Sequence, residues 1–455
     1  MSQGIATVVF ALGILGLFWL DRHQKSRAFP ALWIPVAWVV LAASRGVSQW
    51  LQLGPVVESP EQYLEGSPID LVVFAGLLVG GVMVLLTRGR RVGPLLRANG
   101  PLLVFFLYCA ASVLWSDYPV VAFKRWTKAV GNLVMVLVVL TDPDPPSAVK
   151  RLLARSGFLL IPLSVLFIKY IPDLGRRYDT TLWAPVYVGV TDNKNSLGVV
   201  CLVFGLGSLW RCLGALYGAE RPRLAGPMIA HGALLAMALW LFSKANSATS
   251  LGCFLVGGAL IAVTRRFTLR PRAVHILAVG LVSLCLFGLL LAPATGLVQA
   301  MGRDPTLTGR TQLWEEVLRM GVDPWFGAGF ESFWLGKRAE LLWETYWWHP
   351  NEAHNGYLEI FLTLGWLGVA LFSFVLVWGY RNVVGSLRRS RELGSVRLAY
   401  FMVAVIYNVT EAAFKVMHPV WIMFILAILA TPVAVRRPQF DRETRTPQEN
   451  RAASV

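Results

Sequence analysis

Apolar stretches that reach or approach the length of a bilayer span recur along this chain of 455 residues. Only 15% of the residues are charged, whereas soluble domains carry about 25%. Because a transmembrane helix needs about 20 mostly apolar residues, the sequence predicts an all-α polytopic membrane protein with about 12–13 transmembrane helices. The apolar segments are 4–20, 28–44, 69–87, 100–115, 122–141, 156–171, 195–211, 226–243, 247–264, 273–292, 356–380, 398–414 and 419–435.

Basic clusters alternate with these segments and give each loop a side of the membrane. The net charge is +16, and the large clusters all fall on one side, which the positive-inside rule assigns to the cytoplasm. We therefore expect the N-terminus outside and the C-terminus inside. The N-terminus would be inside if segment 4–20 or 122–141 does not span. This charge distribution indicates a membrane protein and not a nucleic-acid partner. The clusters lie at 22–27, 88–97, 150–155, 211–223, 265–272, 381–397 and from 436 onwards.

The sequence contains no evident internal repeat and no second soluble domain. We predict one integral-membrane domain over residues 1–435 and a polar, disordered cytoplasmic tail over 436–455. Residues 4–20 lack a basic flank and a small-residue cleavage site, which favours a first membrane helix over a signal peptide. The five cysteines lie in or beside apolar stretches without metal-binding spacing, so we interpret them as small hydrophobic residues.

The longest external loop covers residues 293–355, in a chain whose other loops are short. Loops of this length are usually functional. Within it, apolar residues at helical spacing predict a short amphipathic helix that is capped by Thr311 and ended by Gly321 and Pro324. Arg310 would lie at the helix N-terminus, where a guanidinium and free backbone N–H groups together suit an anion. Alternatively, Arg310 pairs with a carboxylate of the same loop, Asp304 or Glu315.

Residues 324–348 combine a glycine-rich turn with many aromatic side chains. Gly327 and Gly329 allow close backbone approach, but no strand precedes them, so a dinucleotide site is not indicated. The aromatic residues fit an interfacial belt or a surface on which sugar rings stack, and both interpretations remain open. They are Trp325, Phe326, Phe330, Phe333, Trp334, Trp343, Tyr346, Trp347 and Trp348.

The loop ends at His354-Asn355, immediately before an apolar helix. A histidine at this boundary can accept a proton from a hydroxyl group, and it can equally be a hydrogen-bonded helix cap. His349 is a weaker candidate because Pro350 follows it. Glu359 lies about one turn into the apolar helix, where an ionisable group indicates function.

Further external charges surround these residues. Glu411 forms a second ionisable cluster with Lys415 and His418 at an outer helix end. Lys194 and Asn195 begin another helix, in a position that suits phosphate. Taken singly, the remaining external cations are typical snorkelling or surface residues. Taken together, they indicate an anionic ligand such as a diphosphate. The members of this group that we regard as ligand candidates are Arg125, Arg176, Arg177, Lys194 and Lys415.

These motifs resemble the O-antigen ligase/polymerase family. Gly309-Arg310 with Trp314, the Pro324–Gly329 turn, and His354-Asn355 followed after nine residues by Gly365-x-x-Gly368 look like the family's motifs. Residues 194–198 look most like the exopolysaccharide (Wzy-type) polymerase branch. The resemblance covers about residues 100–435.

The resemblance implies a GT-C-like glycosyltransferase of the bacterial inner membrane that uses no metal and no cofactor. The donor would be an oligosaccharide on undecaprenyl diphosphate at the periplasmic face. A polymerase passes it to a lipid-linked glycan, and a ligase passes it to lipid A-core. By this likeness His354 is the base that activates the acceptor and Arg310 a catalytic diphosphate ligand. The candidate substrate contacts are Lys194, Asn195, Arg176, Arg177, Arg125, Lys415, Asn355, Glu359 and Glu411.

Other partners and other functions are also conceivable from the sequence. The lipid bilayer is an expected partner, and a flippase and a chain-length regulator of the same pathway are candidate ones. A secondary transporter would explain the many helices and Glu359 and Glu411, but it predicts inverted repeats. A transferase that glycosylates proteins would keep the same site and change the acceptor.

Overall fold

A computed structural model describes residues 2–22, 29–53, 66–178, 184–217, 225–291 and 310–430. Over these residues the chain is almost entirely helical, which confirms the predicted all-α membrane architecture. The helices are α1 (Gln3–Leu20), α2 (Trp33–Ala42), α3 (Val47–Trp50), α4 (Pro68–Thr87), α5 (Gly89–Arg97), α6 (Gly100–Ala111), α7 (Pro119–Leu140), α8 (Pro145–Tyr170), α9 (Pro172–Gly175), α10 (Lys194–Tyr217), α11 (Ala225–Ala245), α12 (Ala248–Arg266), α13 (Pro271–Leu291), α14 (Arg310–Arg319), α15 (Lys337–Thr345), α16 (Gly356–Arg389), α17 (Arg391–Thr410) and α18 (Pro419–Ile428).

Within the described residues, all thirteen predicted apolar segments overlap helices. Eight helices of the described chain are long and apolar enough to cross a membrane, and α5 with α6 adds a ninth if this pair, bent by 86°, is one span. Shorter apolar helices lie at Pro30–Ala42, Pro271–Phe287 and Pro419–Ile428. The predicted count of 12–13 therefore includes helices shorter or less apolar than a regular span. The tail 436–455 lies outside the described residues, and the single domain over 1–435 stays a prediction.

The helices divide into a buried centre and a lipid-facing periphery. In α17 and α8, 78% and 72% of the most apolar window is buried by the protein itself, against 11% in α1 and 17% in α4. Two helices with one predicted loop between them, α16 and α17, are separated only by Ser390, whose hydroxyl accepts from the Leu393 N–H. Much of the basic segment 381–397 is therefore helical and not a loop.

An arginine that the sequence analysis did not single out connects the early helices to the loop before α10. Arg45 is buried, and its guanidinium donates to the carbonyls of Leu174 (2.6 Å) and Thr191 (3.0 Å) and pairs with Asp192. Beside it, a two-stranded ribbon pairs β1 (Arg176–Tyr178) with β2 (Pro185–Tyr187). These are the two strands that the described residues contain.

The long loop that precedes α16 has a small hydrophobic core of its own. Its described part contains α14 and α15, whose buried residues Leu313, Val317 and Leu342 pack with Phe333 and Trp334. The aromatic residues therefore serve different purposes: some form this core, whereas Trp325 and Trp347 are exposed. Neither an interfacial aromatic belt nor a surface for stacking sugar rings accounts for all of these aromatic residues.

This loop is fixed to the membrane domain at a break in α16. Gly365 has φ +63°, which interrupts the helix. The backbone groups released by the break pair with the glycine-rich turn: Trp366 N donates to Pro324 O (2.8 Å), and Ala328 N donates to Leu362 O (2.9 Å). The Tyr108 hydroxyl donates to the Leu364 carbonyl (2.9 Å). The spacing between His354 and Gly365 thus corresponds to the part of α16 between the loop's end and its docking point.

We expect Gly365→Ala to destabilise this docking. A Cβ at Gly365 would lie 2.3 Å from the backbone of Trp325, and the positive φ is itself unfavourable for alanine. The free energy of unfolding should fall by about 2 kcal/mol or more, measured by thermal unfolding in detergent. Gly76→Ala is the matched control, since no atom lies within 4 Å of its added Cβ. Equal stability of the two variants would contradict the docking role.

Candidate functional site

Three segments meet where α14, α16 and α17 begin or end, and they bring the two predicted catalytic residues together. Arg310 is the first residue of α14, His354 precedes α16, and Glu411 follows α17. Arg310 Nη2 lies 3.1 Å from Glu411 Oε1, and Arg310 also donates to the Thr410 carbonyl. The alternative pairing of Arg310 with Glu315 is not observed: Arg310 pairs with Glu411, and Glu315 pairs with Arg319. Asp304 lies outside the described residues.

The backbone around His354 is held by specific contacts. His354 has φ +50°, an uncommon conformation for a side-chain-bearing residue. The Asn355 side chain caps α16 by accepting from the N–H groups of Tyr357 (3.0 Å) and Leu358 (3.1 Å). The Gly356 N–H donates to the Glu411 carbonyl. The helix cap that the sequence offered as an alternative to a base thus belongs to Asn355, and its predicted substrate contact stays a prediction.

The imidazole of His354 is oriented by two carboxylates. Its Nδ1 lies 3.1 Å from Glu352 Oε1 and 3.3 Å from Glu411 Oε2, and its ring faces Trp348 at 6.0 Å between centroids. Among the described residues, the hydrogen bonds and ion pairs of the imidazole are all at Nδ1. With Nδ1–H held by carboxylates, Nε2 is the nitrogen that can exchange a proton with a ligand.

The site forms one row of alternating charges. Starting from Arg310, the contacts run to Glu411, to His354, to Glu352 and finally to Lys415, whose Nζ lies 3.2 Å from Glu352 Oε2. Each carboxylate therefore touches two cationic or protonatable groups. Such an arrangement keeps the carboxylates ionised and stabilises a positive charge on the imidazole.

The pKa values follow from these contacts. Burial lowers the pKa of His354, but hydrogen bonds to Glu352 and Glu411 outweigh it and raise the pKa to about 9. Burial raises the pKa of Glu352, but Lys415 and His354 outweigh it and hold that pKa well below its usual value. At neutral pH the resting site therefore carries an imidazolium.

Glu352, His354 and Glu411 also have the geometry of a cation site, since their ligand atoms lie within 4.8 Å of one another. Both carboxylates already form ion pairs, one with Arg310 and one with Lys415. A divalent cation would therefore be placed against two existing positive charges. This composition favours proton transfer and anion binding at these residues, and the predicted absence of a metal stays a prediction.

Glu359 supports the loop that carries His354. Its two carboxylate oxygens accept from Trp334 Nε1 at 3.0 and 2.9 Å, and one of them also accepts from the Ala353 N–H. The ionisable group in the apolar helix is thus hydrogen-bonded to the external loop, one residue before His354. The predicted role of Glu359 in binding substrate stays a prediction.

A pocket of about 780 Å³, open to solvent, lies beside the row of charges. Its polar lining contains Arg125, Glu331, Asn351, Glu359 and Lys415. Arg125 donates to the Glu331 carbonyl, and the Glu331 side chain accepts from the Val416 N–H at 3.2 Å. The rest of the lining consists of Thr363 and apolar side chains, namely Phe105, Phe106, Cys109, Ala129, Phe330, Trp334, Ile360, Leu364, Phe372, Phe414, Val416 and Trp421. Such a pocket can take an amphiphilic ligand.

Other predicted ligands lie in a separate group. Arg176 donates to the Ile168 carbonyl (2.9 Å), and Arg177 pairs with Asp192. Lys194 is exposed and Asn195 is partly buried at the start of α10. None of their contacts among the described residues is to Arg310, His354 or Glu411. The structure thus brings together Arg310, His354, Glu411 and Lys415, and places Arg125 and Glu359 beside the pocket that Lys415 also lines.

Two residues of the site were not chosen from the sequence. Glu352 contacts both His354 and Lys415, yet its position in a polar loop gave it no helix spacing or motif of its own. Glu331 lies near a glycine-rich turn and is distant from Val416 in the sequence. The signal available for Glu352 was its closeness to His354, since carboxylates commonly orient a catalytic imidazole.

Several known proteins are similar to this chain. Residues 225–373 match the family described as O-antigen ligase (Wzy_C). Exopolysaccharide production protein ExoQ of Rhizobium meliloti (strain 1021) is 25% identical over 298 residues, which cover 63% of this chain and 64% of that protein. Proteins named "Putative polysaccharide ligase" from Rickettsia felis and Rickettsia bellii are 24% and 26% identical, over 44% of this chain and 51% of each relative.

These matches confirm the predicted resemblance. The chain is similar to the O-antigen ligase/polymerase family over these residues. The matched region contains Arg310, His354 and the Gly365-x-x-Gly368 segment, and the similarity supports a polysaccharide ligase or polymerase role in a multi-pass membrane protein.

The paired carboxylates give a prediction that needs no activity assay. Histidine reacts with diethylpyrocarbonate when neutral, so the reaction at His354, followed by mass spectrometry, should be half-maximal near pH 9. In Glu352→Gln and Glu411→Gln this midpoint should fall by about 1 pH unit or more, because each change removes an opposite charge. His275, exposed on α13, is the internal reference. An unchanged midpoint in both variants would contradict the proposed orientation of the ring.

Proposed function

We propose that this protein transfers a glycan from undecaprenyl diphosphate, a polyprenyl diphosphate, to a lipid-linked acceptor at the external membrane face. The observation that carries the proposal is His354, held at Nδ1 by Glu352 and Glu411 with Arg310 on the far side of Glu411. An oriented imidazole beside a guanidinium supplies what this reaction requires: a proton acceptor and a group that stabilises a diphosphate.

In the proposed reaction, Nε2 of neutral His354 takes the proton of the acceptor hydroxyl. The hydroxyl oxygen forms a bond to the anomeric carbon of the donor glycan, and the bond from that carbon to the diphosphate oxygen breaks. Glu352 and Glu411 stabilise the imidazolium that results. Arg310 and Lys415 stabilise the charge on the departing diphosphate, and removing one such group commonly costs about 3–4 kcal/mol.

The preferred acceptor is a second lipid-linked glycan, which makes the protein a Wzy-type polysaccharide polymerase. The relative named for exopolysaccharide production, which covers more of this chain than the other two relatives, supports this assignment. The second candidate is an O-antigen ligase with lipid A-core as acceptor. It is favoured by the description of the matching family and by the names of the two Rickettsia relatives.

We expect His354→Ala to abolish polymer formation and Arg310→Lys to reduce it at least tenfold, because a single ammonium cannot replace a planar guanidinium fork. Each variant is expressed in a strain that lacks the gene, and the lipid-linked glycans are analysed. Accumulated single repeat units identify a polymerase, and accumulated long chains identify a ligase. The matched controls are His275→Ala and Arg319→Lys, both at exposed positions. Near wild-type polymer from folded His354→Ala would reject His354 as the base.

The pKa of His354 gives a directional prediction for activity. Only neutral imidazole can accept a proton, so kcat/KM should increase about tenfold per pH unit until it levels near pH 9. In Glu411→Gln the plateau should begin at lower pH, although its height should be reduced. A rate that instead falls as pH rises through 9 would identify the imidazolium as a donor or anion ligand and would reject the base.

A further inference from the structure

A second pocket, of about 670 Å³, lies at the opposite end of the helix bundle. It is formed by the turn between α12 and α13 and the turn between α16 and α17. Beyond its break at Gly365, α16 continues over residues 366–389, which corresponds to about 36 Å at 1.5 Å per residue and is enough to cross a hydrocarbon core of about 30 Å. The pocket therefore faces the other side of the membrane, which the basic clusters assign to the cytoplasm.

The pocket combines an apolar wall with arginine side chains. The apolar wall consists of Phe267, Leu269, Pro271, Val274, Val384 and Leu387. The polar groups are Thr264, Thr268, Arg388 and Arg391, and Arg391 donates to the Thr268 hydroxyl. Phe267 is 56% exposed and lies under the Arg266 guanidinium at 5.5 Å. An apolar surface and guanidinium groups thus line the same opening.

The charge around the pocket is strongly one-sided. The one acidic residue in 264–274 and 381–392 is Glu392. Its carboxylate is already paired with Lys150 at 2.6 Å. Within the described residues, neither Arg388 nor Arg391 forms an ion pair. The same two segments contain the arginines 265, 266, 270, 272, 381, 388, 389 and 391.

We propose that this pocket binds the phosphate headgroup of an anionic phospholipid, with an acyl chain against the apolar wall. Guanidinium groups favour phosphate oxygens, and basic pockets between helices on this side of a membrane recognise anionic headgroups. The apolar wall and exposed Phe267 distinguish a lipid from a free phosphate ion, which has no apolar part to bury. The site would connect the cytoplasmic ends of α16 and α17, whose other ends carry His354 and Glu411.

Native mass spectrometry of the full chain in detergent tests the proposal. With equal amounts of phosphatidylglycerol and phosphatidylcholine added, the wild-type protein should retain phosphatidylglycerol preferentially. Arg388→Gln combined with Arg391→Gln should reduce this preference about tenfold, because each arginine contributes to headgroup attraction. The matched control is Arg90→Gln with Arg97→Gln, which removes the same charge from exposed positions on α5. It should leave the preference within about twofold of wild type.

The remaining outcomes decide between a lipid site and its alternatives. Glycerol 3-phosphate and inorganic phosphate, each at tenfold excess, should not displace the lipid, and displacement would identify a free-phosphate site and overturn the proposal. Equal loss of preference in the control pair would show that general surface charge is responsible and would also overturn it. Size-exclusion elution identical to wild type confirms that the variants are folded, and Leu387→Asn supplies a second, charge-neutral change to the apolar wall that should weaken retention.

Discussion

Glu411 is the carboxylate on which the geometry of the external site depends. It is 8% exposed, and a buried carboxylate is costly unless each oxygen has a partner. One oxygen contacts Arg310 and the other contacts His354, while its backbone carbonyl accepts from the Gly356 N–H. The end of α17 is thereby joined to the starts of α14 and α16. Removing this carboxylate would separate the guanidinium from the imidazole and leave both without a shared anion.

Contacts between the rest of the loop and α16 fix the position of His354. Because α16 breaks at Gly365, backbone groups that a continuous helix would use internally pair with the turn at 324–329. Glu359, between the break and the start of α16, accepts from Trp334 and from Ala353. The packed core of the loop is thus fixed to α16 at two points, the break at Gly365 and the side chain of Glu359. His354 lies next to the second point, because Ala353 donates to Glu359. A proton acceptor needs such fixed positioning.

The helices and the central residues were predictable for different reasons. Apolar length identifies membrane helices almost independently of context, so every predicted segment overlaps a helix within the described residues. His354 was singled out at the end of the loop and Arg310 at the start of a helix within it, and both lie in motifs that resemble the family's. Arg45 and the break at Gly365 were missed or unexplained, because their partners are distant in the sequence. Glu352 was missed although its partner His354 is two residues away. Arg45 contacts Thr191 across 146 residues, and no local pattern reports such a contact. Helix boundaries in 381–397 were wrong because charge marks the membrane side and not the end of a helix.

The row of charges explains how one site can handle both a proton and a diphosphate. In the resting state Arg310, protonated His354 and Lys415 face two carboxylates, so the row carries one excess positive charge. Loss of the His354 proton makes the row neutral and prepares the base. In the proposed step, the acceptor's proton restores the positive charge on His354 while negative charge grows on the leaving diphosphate. The two new charges have opposite sign and develop in the same low-dielectric region, so each stabilises the other. A histidine without its carboxylate partners would lack this coupling, because burial alone disfavours the imidazolium.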